Sequence, residues 1–369
     1  MLCESAALAL RAKSFAAPSM DPRKAKQLRE HIRHVLYYRG CGSGSPLVAA
    51  VANGDVGQVA ALLANGANPD ETDNLDAWAS ALTIAVMAKN VEAVVLLVKA
   101  GANPHGPNDD EDPVFVAAVG GNVDVLNVLL AAPGASVAGP DKDFVFAAAQ
   151  YGNAEAVSAL LAAGADPNAI PSGTHTTPVS VTARNNYVDA LAVLIAAGAN
   201  VDTPNSGGSS PAYVAAQEGR AETLKLLIAA GADIETPRST GARPLYIAAV
   251  HGHVDAVKVL IDAGADVHAT APDTELGPRT PADSAMRNGH ELVLKALLAA
   301  GAAPPSDFNA KEDEDIAYML GKGFSLTIKK KKQKKPTDGP QTPQRCFPLD
   351  ARGMREVLHG WVDPGETSD

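Results

Sequence analysis

Aromatic side chains are scarce: two Trp, seven Tyr and seven Phe make up 4% of 369 residues. A large single core is normally built around such side chains, which bury the most area each, so their shortage argues for thin layers. Cysteine is scarcer still. Cys3, Cys41 and Cys346 are scattered and odd in number, which implies no disulfide framework and fits a reducing compartment. No apolar run approaches the ~18 residues that a membrane helix requires. The Ala/Leu-rich stretch from Leu2 to Leu10 is confined by Glu4, Arg11 and Lys13, which argues against a secretory signal. Positive charge is in deficit, 31 Lys+Arg against 42 Asp+Glu for a net −11. That balance favours solubility and disfavours non-specific nucleic-acid binding by the body of the protein. Catalytic motifs are missing too: there is no P-loop, no GxSxG and no HExxH. His31 and His34, and His251 and His253, have no Cys or carboxylate partners at zinc-like spacing and read as surface or packing histidines. Gly42-x-Gly44 lacks the third glycine and the preceding strand of a dinucleotide fingerprint. No enzymatic activity, cofactor or metal is expected.

What the chain has is alanine, within a hydrophobic fraction of 46%, and repetition. Arg243 to His268 reads as one complete unit. Pro244 suits a first helical position, with φ set and no N–H to waste. Leu245, Ile247 and Ala248 supply apolar side chains, Gly252 breaks the run, and Val254, Val257, Leu260 and Ile261 recur at helical spacing. Gly264 closes the second helix where a left-handed residue is wanted. Two helices this short cannot bury their faces alone, so they need copies on either side.

The closing glycine recurs at 66, 101, 134, 164, 198, 231, 264 and 301, at intervals of 35, 33, 30, 34, 33, 33 and 37 by subtraction. The opening position holds Pro46, Ala81, Pro113, Phe144, Pro178, Pro211, Pro244 and Pro281. Four residues on stands a small side chain: Ala50, Ala85, Ala117, Ala148, Thr182, Ala215, Ala248 and Ala285. Thr177-Pro178 and Thr280-Pro281 open their units, with Ser45, Ser210 and Asp112 as equivalent N-caps. With a period near 33 and a TPLHxA-like opening, residues 45–302 resemble eight ankyrin repeats. The resemblance implies an all-α solenoid of stacked helix-turn-helix pairs with short hairpin fingers. The His of the family's opening motif is absent. Its column reads Val48, Thr83, Phe115, Phe146, Ser180, Tyr213, Tyr246 and Asp283, so the inter-repeat bond from that His is not expected, and the aromatics are expected to pack between repeats.

The flanks divide as follows. Residues 1–20 read as a disordered start, with an organelle transit peptide as the alternative. Residues 21–44 read as a capping helix, apolar at Leu28, Ile32, Val35 and Leu36, followed by a hinge. Residues 303–321 read as a half-repeat cap. Residues 322–369 form a basic flexible tail holding Lys329, Lys330, Lys331, Lys332, Lys334 and Lys335, then a short amphipathic stretch with Met354, Val357, Leu358 and Trp361. The family resemblance implies a concave groove reached by variable positions at the ends of the first helices. Asn53, Met87, Gln150, Tyr151, Arg184, Asn185, Gln217, Glu218, His251, Arg287 and Asn288 occupy these positions. The fingers add an acidic pole, with Asp70, Glu71, Asp73 and Asp76 beside Trp78, then Asp109, Asp110, Glu111 and Asp112. Later fingers carry Arg238, Arg243 and Arg279. The expected function is a monomeric, non-catalytic scaffold or adaptor whose partner is another protein, one with a basic segment if the acidic fingers select it. The alternative is a regulator whose lysine tail meets nucleic acid, an anionic membrane or the nuclear import machinery. The expected location is the cytoplasm, or the nucleus if the lysines direct import.

Overall fold

The computed structural model describes residues 45–72, 80–106, 112–137, 143–172, 174–272 and 278–305. The expected N-terminal capping helix, the half-repeat cap, the lysine run and the amphipathic stretch lie outside the described residues, as do Trp78, Asp109, Asp110 and Glu111. Among the described residues, sixteen helices of seven to nine residues follow one another. The first of each pair are α1 (Pro46–Asn53), α3 (Ala81–Met87), α5 (Pro113–Gly120), α7 (Phe144–Gln150), α9 (Pro178–Asn185), α11 (Pro211–Gln217), α13 (Pro244–His251) and α15 (Pro281–Arg287). The second are α2 (Val56–Ala64), α4 (Val91–Lys99), α6 (Val123–Leu130), α8 (Ala154–Ala162), α10 (Val188–Ala196), α12 (Ala221–Ala229), α14 (Val254–Asp262) and α16 (Glu291–Ala299). Among the described residues there is no strand beyond two isolated antiparallel bridges, Thr72 with Ser80 and Ala271 with Arg279.

The first helices start where the sequence expects. Hydroxyls of Ser45, Ser80, Thr177, Ser210 and Thr280, and the Asp112 carboxylate, accept backbone N–H groups of the opening turn, satisfying donors a helix start leaves free. The second helices stop at the eight expected glycines, all left-handed with φ between +82° and +93°. The alanine after most of them sends its N–H back into the last turn, as Ala265 does to the Leu260 carbonyl at 3.0 Å, the pattern of a Schellman end.

The chain divides into two compact units, the first carrying α1 to α6 and the second α7 to α16. Inside each, first helices pack on first helices and second on second. The close approach needs the small column: Ala50, Ala85, Ala117, Ala148, Ala215, Ala248 and Ala285 are at most 1% exposed. Thr182 fits the same slot because its hydroxyl donates to the Pro178 and Val179 carbonyls, which removes the cost of burying it unpaired. The second helices bury triplets such as Ala190, Leu191 and Leu194, or Ala256, Val257 and Leu260. The core is therefore a row of thin layers, as the aromatic shortage requires.

Tyr213, of the column lacking His, is 2% exposed and packs with Tyr246, Ile247, Ala242 and Ala271 from later repeats, as expected. The polar members of that column turn back on their own helix instead: Thr83 meets the Ser80 hydroxyl, Ser180 that of Thr177, and Asp283 closes a capping box with Thr280.

Candidate protein-binding surface

In the second unit α7, α9, α11, α13 and α15 pack side by side, so the residues at their C-terminal ends form a row. Tyr151 follows α7 and is mostly buried, which pushes its phenol pKa up. Gln150, beside it, has a buried Oε1 with no hydrogen-bond partner. Arg184 and Asn185 end α9, with Asn185 exposed. Gln217 ends α11 and Glu218 caps it; His251 ends α13 and Arg287 ends α15, the last two exposed. Met87 ends α3 in the first unit, half-buried. After it comes Lys89, a non-glycine at φ +53° whose Nζ approaches the Gly120 carbonyl at 3.4 Å; burial lowers its pKa.

The row is held from behind by residues to which the sequence reading assigned no such role. The residue before each second helix runs, in the later repeats, Tyr187, Arg220, His253 and His290. Arg220 Nε donates to the Arg184 carbonyl at 3.1 Å. His253 Nε2 meets the Gln217 carbonyl and His290 Nε2 the Val250 carbonyl, both at 2.9 Å. The rings of Tyr187, His253 and His290 lie over Gly152, Gly219 and Gly252 of the preceding pair, where an added Cβ would come within 2.7 Å. In the earlier repeats the same position holds Asp55, Asn90 and Asn122, which cap their own helices. The signal was an aligned column changing from short caps to rings, visible once the turn glycines are numbered.

Among the described residues, several finger charges have partners within the fold. Asp112 is 5% exposed, caps α5 and pairs with His105 Nδ1 at 2.6 Å. His105 Nε2 then accepts the Ser136 N–H at 2.9 Å. Arg243 bonds Glu235 at 2.7 Å and lies 3.8 Å from Asp266. Arg238 donates to the Gly207 carbonyl and stands 6.0 Å over the Tyr213 ring. Arg279 is 7% exposed. Some of these partners are near in sequence, as His105 is to Asp112 and Glu235 to Arg243, and others lie 31 residues away, as Ser136 does from His105 and Gly207 from Arg238.

Behind the fingers runs a ladder of side-chain acceptors and backbone donors. After most of the Gly-Ala turns, a side chain accepts the N–H two residues on, and the next side chain accepts an N–H from the following repeat. In the second unit the chain of acceptance runs Asp166 to Asn168, Asn168 to Asn200, Asn200 to Asp202, Asp202 to Asp233, Asp233 to Glu235, Glu235 to Asp266 and Asp266 to His268. The first unit repeats it from Asn68 through Asp70 and Asn103 to His105. At Asp233 the Thr236 hydroxyl, then the Glu235 N–H, hold the carboxyl below its usual pKa.

Among the described residues no group of three or more His, Cys, Asp or Glu side chains is placed to hold a metal ion, and no helix is long and apolar enough to cross a membrane. The alternation of capped short helices, small-residue contacts and glycine-closed turns is that of an ankyrin solenoid. The model of the ankyrin-repeat family matches residues 47–141, 145–238 and 235–311; these stretches span α1–α6, α7–α12 and α13–α16. The chain belongs to the ankyrin-repeat family. Repeats of this family commonly mediate protein–protein contact and are typically non-catalytic. No curated protein matches the chain.

Proposed function

We propose that the protein is a non-catalytic scaffold or adaptor that binds another protein along the row of first-helix ends, with the fingers flanking it. The observation that carries this reading is the row itself. Arg184, Asn185, Gln217, Glu218, His251 and Arg287 vary in chemistry from one repeat to the next while the backbone beneath them repeats, and variable groups on a rigid frame are the usual setting for recognition. Trp78, Met87, Asp109, Asp110 and Glu111 belong to the same proposal.

Photo-crosslinking tests it. A benzophenone amino acid at Asn185, His251 or Arg287 is expected to trap one and the same partner in cells. At Glu222 or Asp255, exposed on the second helices, it is expected to trap none. Equal labelling from both sets, or labelling from the second set alone, refutes the row as the binding surface. A second reading rests on the six lysines within residues 329–335: binding of DNA or anionic vesicles that weakens with salt and vanishes when 329–335 are deleted.

A further inference from the structure

The second unit gathers three imidazoles at the ends of α11 and α13. His253 and His290 each offer Nε2 to a backbone carbonyl, of Gln217 and Val250. A carbonyl only accepts, so both rings carry hydrogen on Nε2 and keep Nδ1 for a second proton. Each ring covers the left-handed glycine of the preceding pair, Gly219 or Gly252. His251 is the exposed last residue of α13, and its ring stacks on that of His253 with centroids 5.8 Å apart and planes 8° from parallel. The groups whose charge bears on His251 are Glu218 at the end of α11, His253 before α14 and His290 before α16. Arg287 ends α15, the first helix packed next to α13.

These contacts respond to acid in opposite ways. Nε2 donates whether an imidazole is neutral or charged, so the bonds to Gln217 and Val250 do not depend on the state of the ring. A positive charge on His251 weakens the stack, because the imidazoles of His253 and His290 oppose it and Glu218 is the carboxylate there to offset it. We infer that His251, His253 and His290 form an acid-released catch: neutral, His251 lies on His253; acidified, His253 and His290 keep their carbonyls while His251 leaves the stack for solvent.

Burial first, then the neighbouring His253, depress the His251 pKa, with Glu218 opposing and His290 adding to the depression. The folded value lies below the unfolded one, near 6.5. The stability His251 contributes is therefore complete above pH 6.5 and is lost as pH falls from there through the folded value. The catch needs no partner, so its failure and that of the proposed binding row are separate results.

The full-length chain with ring-labelled histidine tests it by long-range ¹H–¹⁵N correlation and ring-to-ring NOE between pH 7.5 and 5.0. At pH 7.5, His253 and His290 are expected as Nε2–H tautomers, with NOE between the His251 and His253 rings. At pH 5.0 the NOE disappears while both Nε2–H signals persist. The fall in melting temperature between the two pH values is expected to be smaller in His251→Gln than in the wild type, since Gln cannot charge. Persistence of the NOE at pH 5.0, or an equal fall in both proteins, overturns the catch. Should His251→Gln fail to fold, the wild-type NOE decides alone.

Discussion

Gly252 and Gly264 share a left-handed backbone, φ +79° and +87°, yet differ in what surrounds them. A Cβ at Gly264 would meet nothing within 4 Å, whereas one at Gly252 would stand 2.5 Å from His290 Nδ1. Gly264→Ala is therefore expected to cost only the left-handed penalty, about 1 kcal/mol. Gly252→Ala must also displace the ring and its bond to Val250, for a total of about 2–3 kcal/mol. Urea melts of the two variants check both values, and equal costs would show that the ring moves freely. The sequence made the glycines legible because a left-handed turn admits few residues. It did not reveal why His290 follows one of them, since the glycine it covers lies 38 residues earlier, by subtraction, and only stacking joins the two.

At the scale of the helix, the absence of the family's opening His is compensated locally. Asp283 stands in that column, and its carboxylate accepts from the Thr280 N–H and hydroxyl at 2.8 and 2.7 Å. Ser210 caps α11 from a site 1% exposed. Asp283→Ala and Ser210→Ala are each expected to lower stability by about 1 kcal/mol, measured by chemical denaturation. Arg243 makes no side-chain cap, so removing its side chain is expected to spare the start of α13 and to cost only its pairing with Glu235 and Asp266. Helix starts and stops were legible because proline, hydroxyl and glycine have local meanings. The fate of the finger charges was not. Asp112 reads as an N-cap at the end of an acidic run, but its pairing with His105 is not legible in that spacing, and neither is that of Arg243 with Glu235 and Asp266.

For the molecule as a whole, the stacking of pairs makes stability close to a sum over neighbours, and the finger ladder is one thread of that sum. Asp202 accepts from Asp233, 31 residues on, at 2.9 Å. Asp202→Ala is expected to cost about 1 kcal/mol and to speed amide exchange at Asp233 while that at Asn103, bonded to Asp70 in the other unit, stays unchanged. Equal acceleration at both amides would mean that the units open together and the ladder is not local.

The ladder also fixes where the chain is free to change length. Its bonds lie close behind the Gly-Ala turns, upstream of the finger tips. The interval from Gly66 to Gly101 is two residues longer than that from Gly198 to Gly231. The rung across the longer interval, Asn103 N–H to Asp70, is nonetheless 2.7 Å, and Thr72 and Ser80 bridge just beyond it. Extra residues past such a bridge are spliced into a stem already closed, and the cost of a longer loop grows only with the logarithm of its length. The fingers are thus grafting sites, where foreign sequence or an inherited insertion can be accepted while the register of the helices beneath is kept.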